Sequence, residues 1–216
     1  MASASEPLPL SADDIRQFQT PIDGKGIPSS NLAETLEAEP LVILYFLRHF
    51  GCIHCRYIVE RLHELKQTMP RFPAVIFVHM EPLEEGEAFF AERFPGARHI
   101  SDPHRRLYQL FGIRRASLGD VFTTRLLGRS LKRFLAGYRQ SSRPTADPRT
   151  LSGMFLLKHG EPKWAHRAGY AGDDDKAYQM MRMLGKNTQP AQSEQQPAAA
   201  DPSAPQAPVD EPESVQ

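Results

Sequence analysis

Cysteine is nearly missing from this sequence: 216 residues carry two. A chain so poor in cysteine has no disulfide framework, and two such residues read as catalytic or metal-binding sooner than as a staple. An excess of charge is missing too. Lys plus Arg and Asp plus Glu both number 26, a formal net charge of zero, so the balance points to neither a nucleic-acid nor a strongly acidic partner. No apolar run approaches the roughly 20 residues of a membrane span. The longest, residues 41–47, is strand-sized. There is no Walker-type loop and no dinucleotide glycine pattern, so no nucleotide cofactor is expected. Met1 to Asp14 has neither a basic n-region nor an apolar h-region, from which a cytoplasmic, reducing setting is expected.

What the chain does have is the placement of its cysteines, Cys52-Ile53-His54-Cys55, where one apolar pattern gives way to another. Leu41 to Leu47 is an uninterrupted β-prone run, as in a buried parallel strand. From Ile53 onward Ile53, Tyr57, Ile58, Leu62, Leu65 and Met69 recur at helical spacing, and Pro70 and Pro73 end the helix. Cys52 then sits at the strand-to-helix turn, with Cys55 one turn along. Unpaired N–H groups and the positive end of the helix dipole favour a thiolate at Cys52. Thiols of this spacing at helix N-termini have pKa values of roughly 3.5–7.5, against about 8.5 for free cysteine. Arg48, His49, His54 and Arg56 surround the pair with positive or titratable charge, and Gly51 leaves room for an oxidant or a partner's backbone. A redox-active disulfide between Cys52 and Cys55 is the leading reading. Two plainer ones stand beside it: a pair of buried core cysteines, or a zinc site, although structural zinc takes about four ligands and there is one CxxC here.

Composition divides the chain into a Ser/Pro/Gly-rich, loosely ordered segment over 1–30, a folded domain over 31–186, and a tail over 187–216. The tail has no aromatic residue and no Lys or Arg, so it is expected to be disordered. Within the domain, Ala74 to Met80 is a second buried strand, Pro82 opens a helix through Phe94, and Ala97 to Ile100 is a short strand. Pro103 to Phe111 starts another helix. Gly153 to Lys158 and Pro162 to His166 flank a Gly160 turn as a hairpin, and Asp173 to Leu184 closes as a helix. The fold class is α/β with a mixed sheet in three layers. Its order, with CxxC after the first central strand, is that of thioredoxin-like proteins, whose chemistry sits at the carboxyl ends of the strands. A helical insertion over Arg114–Arg149 precedes the hairpin. It has nine Arg or Lys residues against Asp120 and Asp147, a solvated face or a basic lid.

The segment Phe46-Leu47-Arg48-His49-Phe50-Gly51-Cys52-Ile53-His54-Cys55-Arg56 resembles the peroxiredoxin-like AhpC/TSA family, in particular its branch with selenoprotein L and CxxC-containing relatives. Ile100-Ser101-Asp102-Pro103, Leu107 to Gly112 and Gly153-Met154-Phe155-Leu156 carry the resemblance further. It implies a thioredoxin-like fold and a thiol-based oxidoreductase of antioxidant, peroxidase-like or thiol–disulfide type, in which Cys52 attacks and Cys55 resolves. Peroxide or a protein disulfide would be the substrate and a thioredoxin- or glutathione-type system the reductant. No metal, nucleic acid or membrane enters. Where peroxiredoxins place Thr or Ser three residues before the attacking cysteine this chain has His49, and Arg48 or Arg149 is expected to replace the missing groups in part. The alternatives are a redox-sensing interaction module and a structural-zinc thioredoxin-like protein. The other histidines, His63, His79, His99, His104, His159 and His166, lack metal spacing and are expected at the surface or in the hairpin.

Overall fold

Strand parity builds both faces of the sheet. In the computed structural model of the chain, which describes residues 10–116, 145–173 and 175–187, the centre is β2 (Val42–Phe46). Every side chain of β2 is buried. Val42, Leu44 and Phe46 belong to one apolar cluster, while Ile43 and Tyr45, with Leu47 after them, belong to the other. A strand that is apolar on both faces must be covered on both. Here α1 (Ala12–Gln17), α2 (Leu32–Glu37) and α5 (Arg106–Leu110) contribute to the first cluster. The second is packed by α3 (Ile53–Thr68), α4 (Leu83–Arg93) and α6 (Asp175–Asn187). The result is three layers.

The six-stranded sheet has the order β1-β4-β3-β2-β5-β6. Its parallel half is β2, β3 (Ala74–His79) and β4 (Arg98–Ser101). On the other side of β2 the hairpin of β5 (Gly153–Lys158) and β6 (Glu161–Arg167) runs antiparallel. His159 and Gly160 turn it with positive φ of 48° and 75°. The mixed α/β sheet is therefore the one expected, with an addition. The strand β1 (Asp23–Lys25) pairs antiparallel with β4 and forms an edge that the sequence reading does not contain. Of the segment expected to be loosely ordered over 1–30, residues 10–30 are described. From residue 10 it is built into the fold, with Leu10, Ile15 and Ile22 buried in the first cluster and Ser11 capping α1 through a capping box.

The expected helical insertion lies mostly outside the described residues, as does the tail from 188. The two ends of the insertion are described and lie side by side. Arg115 and Thr150 form an antiparallel bridge, Ala116 N–H donates to the Arg149 carbonyl at 2.6 Å, and Leu151 N–H to that of Arg114 at 3.2 Å. Among the described residues no helix is long and apolar enough to cross a membrane.

Candidate active site

Beyond Phe46 the chain makes one tight turn before α3, and this turn sets the position of everything that follows. Cys52 N–H donates to the His49 carbonyl at 3.1 Å, and the Cys52 carbonyl accepts from Arg56 N–H at 3.1 Å, the first bond of the helix. Cys52 is thus the N-cap of α3, at the carboxyl end of a central parallel strand, as expected. Leu47 is tied to β3 by its own N–H, and its carbonyl accepts from the buried Tyr108 hydroxyl at 2.6 Å.

Both cysteines are free and nearly inaccessible, Cys52 at 2 % exposure and Cys55 at 1 %. Burial by itself would hold a thiol neutral. Here it is outweighed, and the Cys52 thiol is held well below its ordinary value. The largest cause is hydrogen bonding from the Cys55 side chain; the charges of Arg48 and His49 and the Cys55 backbone N–H add to it. Cys55 Sγ in turn accepts the Arg48 backbone N–H at 3.2 Å.

Arg48 is the organising side chain. It is buried; its Nη1 lies 3.5 Å from Cys52 Sγ, its Nε donates to the Thr150 carbonyl at 3.1 Å and its Nη2 to the Pro148 carbonyl at 2.6 Å. The stretch before β5 is thereby drawn to the CxxC turn. His49 is buried as well, which favours its neutral imidazole; the Cys52 charge opposes this.

The remaining expected residues divide. Gly51 is buried in the turn. His54 is buried against Gly172, where an added Cβ would stand 2.6 Å from the ring. Arg56 Nε donates to the Phe50 carbonyl at 2.9 Å and so holds the turn. Arg149 is not brought into the cluster: its side chain is exposed and pairs with Asp147. Of the two arginines proposed to replace missing groups, Arg48 is the one that reaches Cys52.

Two histidines, His79 on β3 and His99 on β4, correct the expectation of surface or hairpin positions. Both are buried, with His79 Nε2 and His99 Nδ1 at hydrogen-bond distance, 2.9 Å; His166, buried against the Asp173 carbonyl, lies in the hairpin on β6. Beside them stands a residue the sequence reading did not single out. Glu81 is buried, and its Oε1 accepts the Phe50 N–H at 2.8 Å and the Thr145 hydroxyl. Counting by two from Val75 and Phe77 along β3 arrives at His79 and then Glu81, which is the signal that would have placed both inward. Among the described residues no group of three His, Cys, Asp or Glu is gathered in a way that could hold a metal.

The AhpC/TSA antioxidant enzyme family matches residues 60–169, just over half of the sequence. The chain belongs to the AhpC/TSA antioxidant enzyme family. Because the match begins inside α3, after Cys55, the assignment is independent of the cysteine motif that first suggested it. Membership puts the chain among antioxidant oxidoreductases. Among solved structures it is similar to peroxiredoxin Q of Xanthomonas campestris, with a TM-score of 0.54 at 15 % identity over 80 % of this chain and 93 % of that one. It is also similar to the bacterioferritin comigratory protein of Xanthomonas campestris, with a TM-score of 0.52 at 16 % identity over 87 % of this chain and 100 % of that one. These likenesses are of fold, and they bear out the thioredoxin-like architecture. No curated protein matches the sequence. The finer resemblance to the selenoprotein L branch is not carried by these matches.

Proposed function

We propose that this family member is a thiol peroxidase working through its CxxC dithiol, with Cys52 as nucleophile and Cys55 as resolving thiol. The observation that carries the reading is the Arg48 guanidinium set 3.5 Å from Cys52 Sγ at the N-terminus of α3, with the Cys55 thiol hydrogen-bonded to the same sulfur. A thiolate is the attacking species in such chemistry, and these groups favour it. In the first step Cys52 S⁻ attacks one peroxide oxygen, the O–O bond breaks, and the departing oxygen takes a proton and leaves as water or an alcohol. The sulfur, oxidised by two electrons, is left as a sulfenic acid. Cys55 then attacks that sulfur, the S–S bond forms and water leaves. An external reductant, a thioredoxin-type dithiol or a pair of glutathione thiols, returns two electrons by exchange, which fits a cytoplasmic, reducing compartment. No cofactor is needed.

The same pair is arranged for thiol–disulfide exchange, since Cys55 lies one helical turn from Cys52 and can release a mixed disulfide. The 2 % exposure of Cys52 favours the small oxidant over a protein disulfide. The test is to mix the reduced chain with hydrogen peroxide in a stopped-flow instrument and count thiols by mass spectrometry. Rapid loss of two thiols, abolished by Cys52→Ser and halted at a sulfenic acid by Cys55→Ser, is the expected result. Full activity in both variants sinks the assignment. One slow oxidation without turnover makes the protein a redox sensor instead.

A further inference from the structure

The turn that presents Cys52 is gripped by two buried ionisable side chains, one basic and one acidic, and the mechanism above uses one of them. Arg48 holds it from the sulfur side. On the other side Glu81 Oε1 accepts the Phe50 N–H at 2.8 Å, two residues before the nucleophile. The Phe50 carbonyl is held by Arg56, and its ring stacks on Phe89 of α4 with centroids 4.2 Å apart. Phe50 therefore has its amide, carbonyl and ring all fixed. Glu81 also takes the Thr145 hydroxyl, whose oxygen lies 3.1 Å from the same Phe50 N–H.

A buried carboxylate is costly unless it is well bonded, so its retention asks for a reason. Glu81 makes no ion pair with an Arg or Lys among the described residues. Among the described residues its Oε2 has no hydrogen-bond partner and stands 3.9 Å from His79 Nδ1, beyond hydrogen-bond length. The titratable groups facing it are His79 from β3, backed by His99 from β4, and Tyr108 from α5, whose phenol is held above its ordinary value by burial first and then by the Glu81 carboxylate. What it does hold is the turn. We propose that Glu81 is a positioning residue for Cys52, fixing the Phe50–Gly51 turn so that the sulfur stays opposite Arg48 and Cys55. This rests on the assignment of Cys52 as nucleophile.

Direct charge and positioning have opposite signs. An anion near a thiolate raises the thiol's pKa, so deleting the Glu81 charge lowers the Cys52 value if charge is all that matters. Deleting the hydrogen bond lets the turn shift away from Arg48 and raises it. The experiment is the pH dependence of Cys52 alkylation by iodoacetamide in the full-length reduced chain, with Cys52 told from Cys55 by fragmentation mass spectrometry. Four proteins are compared: wild type, Glu81→Met (neither charge nor acceptor), Glu81→Gln (acceptor without charge) and Glu81→Asp (charge without reach). The expected result is a midpoint raised by about one pH unit in Met and Asp, toward free cysteine, and not raised in Gln. Should Met not fold, the contrast of Asp with Gln decides. A midpoint lowered in Gln and unmoved in Asp overturns the proposal in favour of charge, and one unmoved in all three leaves Glu81 no role at the turn. If the wild-type midpoint itself is that of an ordinary thiol, the nucleophile assignment fails, and this proposal with it.

Discussion

Arg48 faces Cys52 with one nitrogen and the backbone ahead of β5 with the other two: Nη1 is 3.5 Å from Sγ, while Nε and Nη2 donate to Thr150 and Pro148. One planar group thus joins the Cys52 sulfur to a segment about a hundred residues further along. The fork, not the charge alone, makes this possible.

Replacing Arg48 separates those two contributions. Arg48→Met removes a charge that favours the thiolate and leaves two carbonyls without their donors. Peroxide reaction at neutral pH should slow by about tenfold or more, one pKa unit being a factor of ten in the thiolate ratio. Stability should fall by roughly 1–3 kcal/mol. Arg48→Lys should restore part of the rate and little of the stability, because an ammonium cannot bond both carbonyls and face the sulfur. Stopped-flow kinetics with urea unfolding of the same samples reads both.

The depressed Cys52 thiol couples stability to pH. The unfolded chain keeps its proton up to the ordinary thiol value, whereas the fold gives its proton up lower. The reduced protein should therefore gain stability as pH rises from the folded Cys52 pKa toward 9.0 and lose it as pH falls through the folded value. Unfolding midpoints of the reduced chain and of Cys52→Ser, taken from pH 5 to pH 9, should diverge upward. Parallel curves would mean the thiolate is not favoured by the fold.

His79 works in the acid range. Burial and then the neighbouring His99 push its pKa down to about 3 from 6.5. Below 6.5 the unfolded chain takes up the proton while the fold refuses it, so stability drains away as pH falls from 6.5 to about 3. The slope for one proton is about 1.4 kcal/mol per pH unit. Compared with His79→Gln, the native chain should show this extra slope; identical pH profiles would refute it.

Gly86 supplies a reversal of helix propensity. Gly to Ala in a helix ordinarily stabilises by about 1 kcal/mol. Here a Cβ would stand 2.6 Å from His79 Nε2 and 2.8 Å from His99 Cε1, between two rings that are themselves packed against Phe90. Gly86→Ala should instead destabilise by roughly 1–3 kcal/mol through overpacking. Chemical denaturation gives the sign directly.

Much of this was legible before any coordinates. The period change at Ile53 put the helix start within a residue of where α3 begins, because both the strand and the helix are long and strongly patterned. The hairpin was legible from its Gly160 turn. The strand β1 was not: Asp23-Gly24-Lys25 has no apolar alternation and exists because β4 offers an edge to pair with. The roles of Arg48 and Arg149 were not separable either, since both are arginines near the site in sequence or topology. The separation depends on which side chain the turn directs inward. Glu81 and His79 were readable in principle from strand parity, but a polar residue at an inward position is taken for the end of a strand unless a partner is known.

A sulfur with 2 % exposure also sets a speed limit that depends on the size of the caller. A large disulfide-bearing partner would meet Cys52 only as often as the fold opens over it. Its observed rate would climb with concentration and then flatten at that opening frequency. Hydrogen peroxide, needing a far smaller breach, would keep climbing long after.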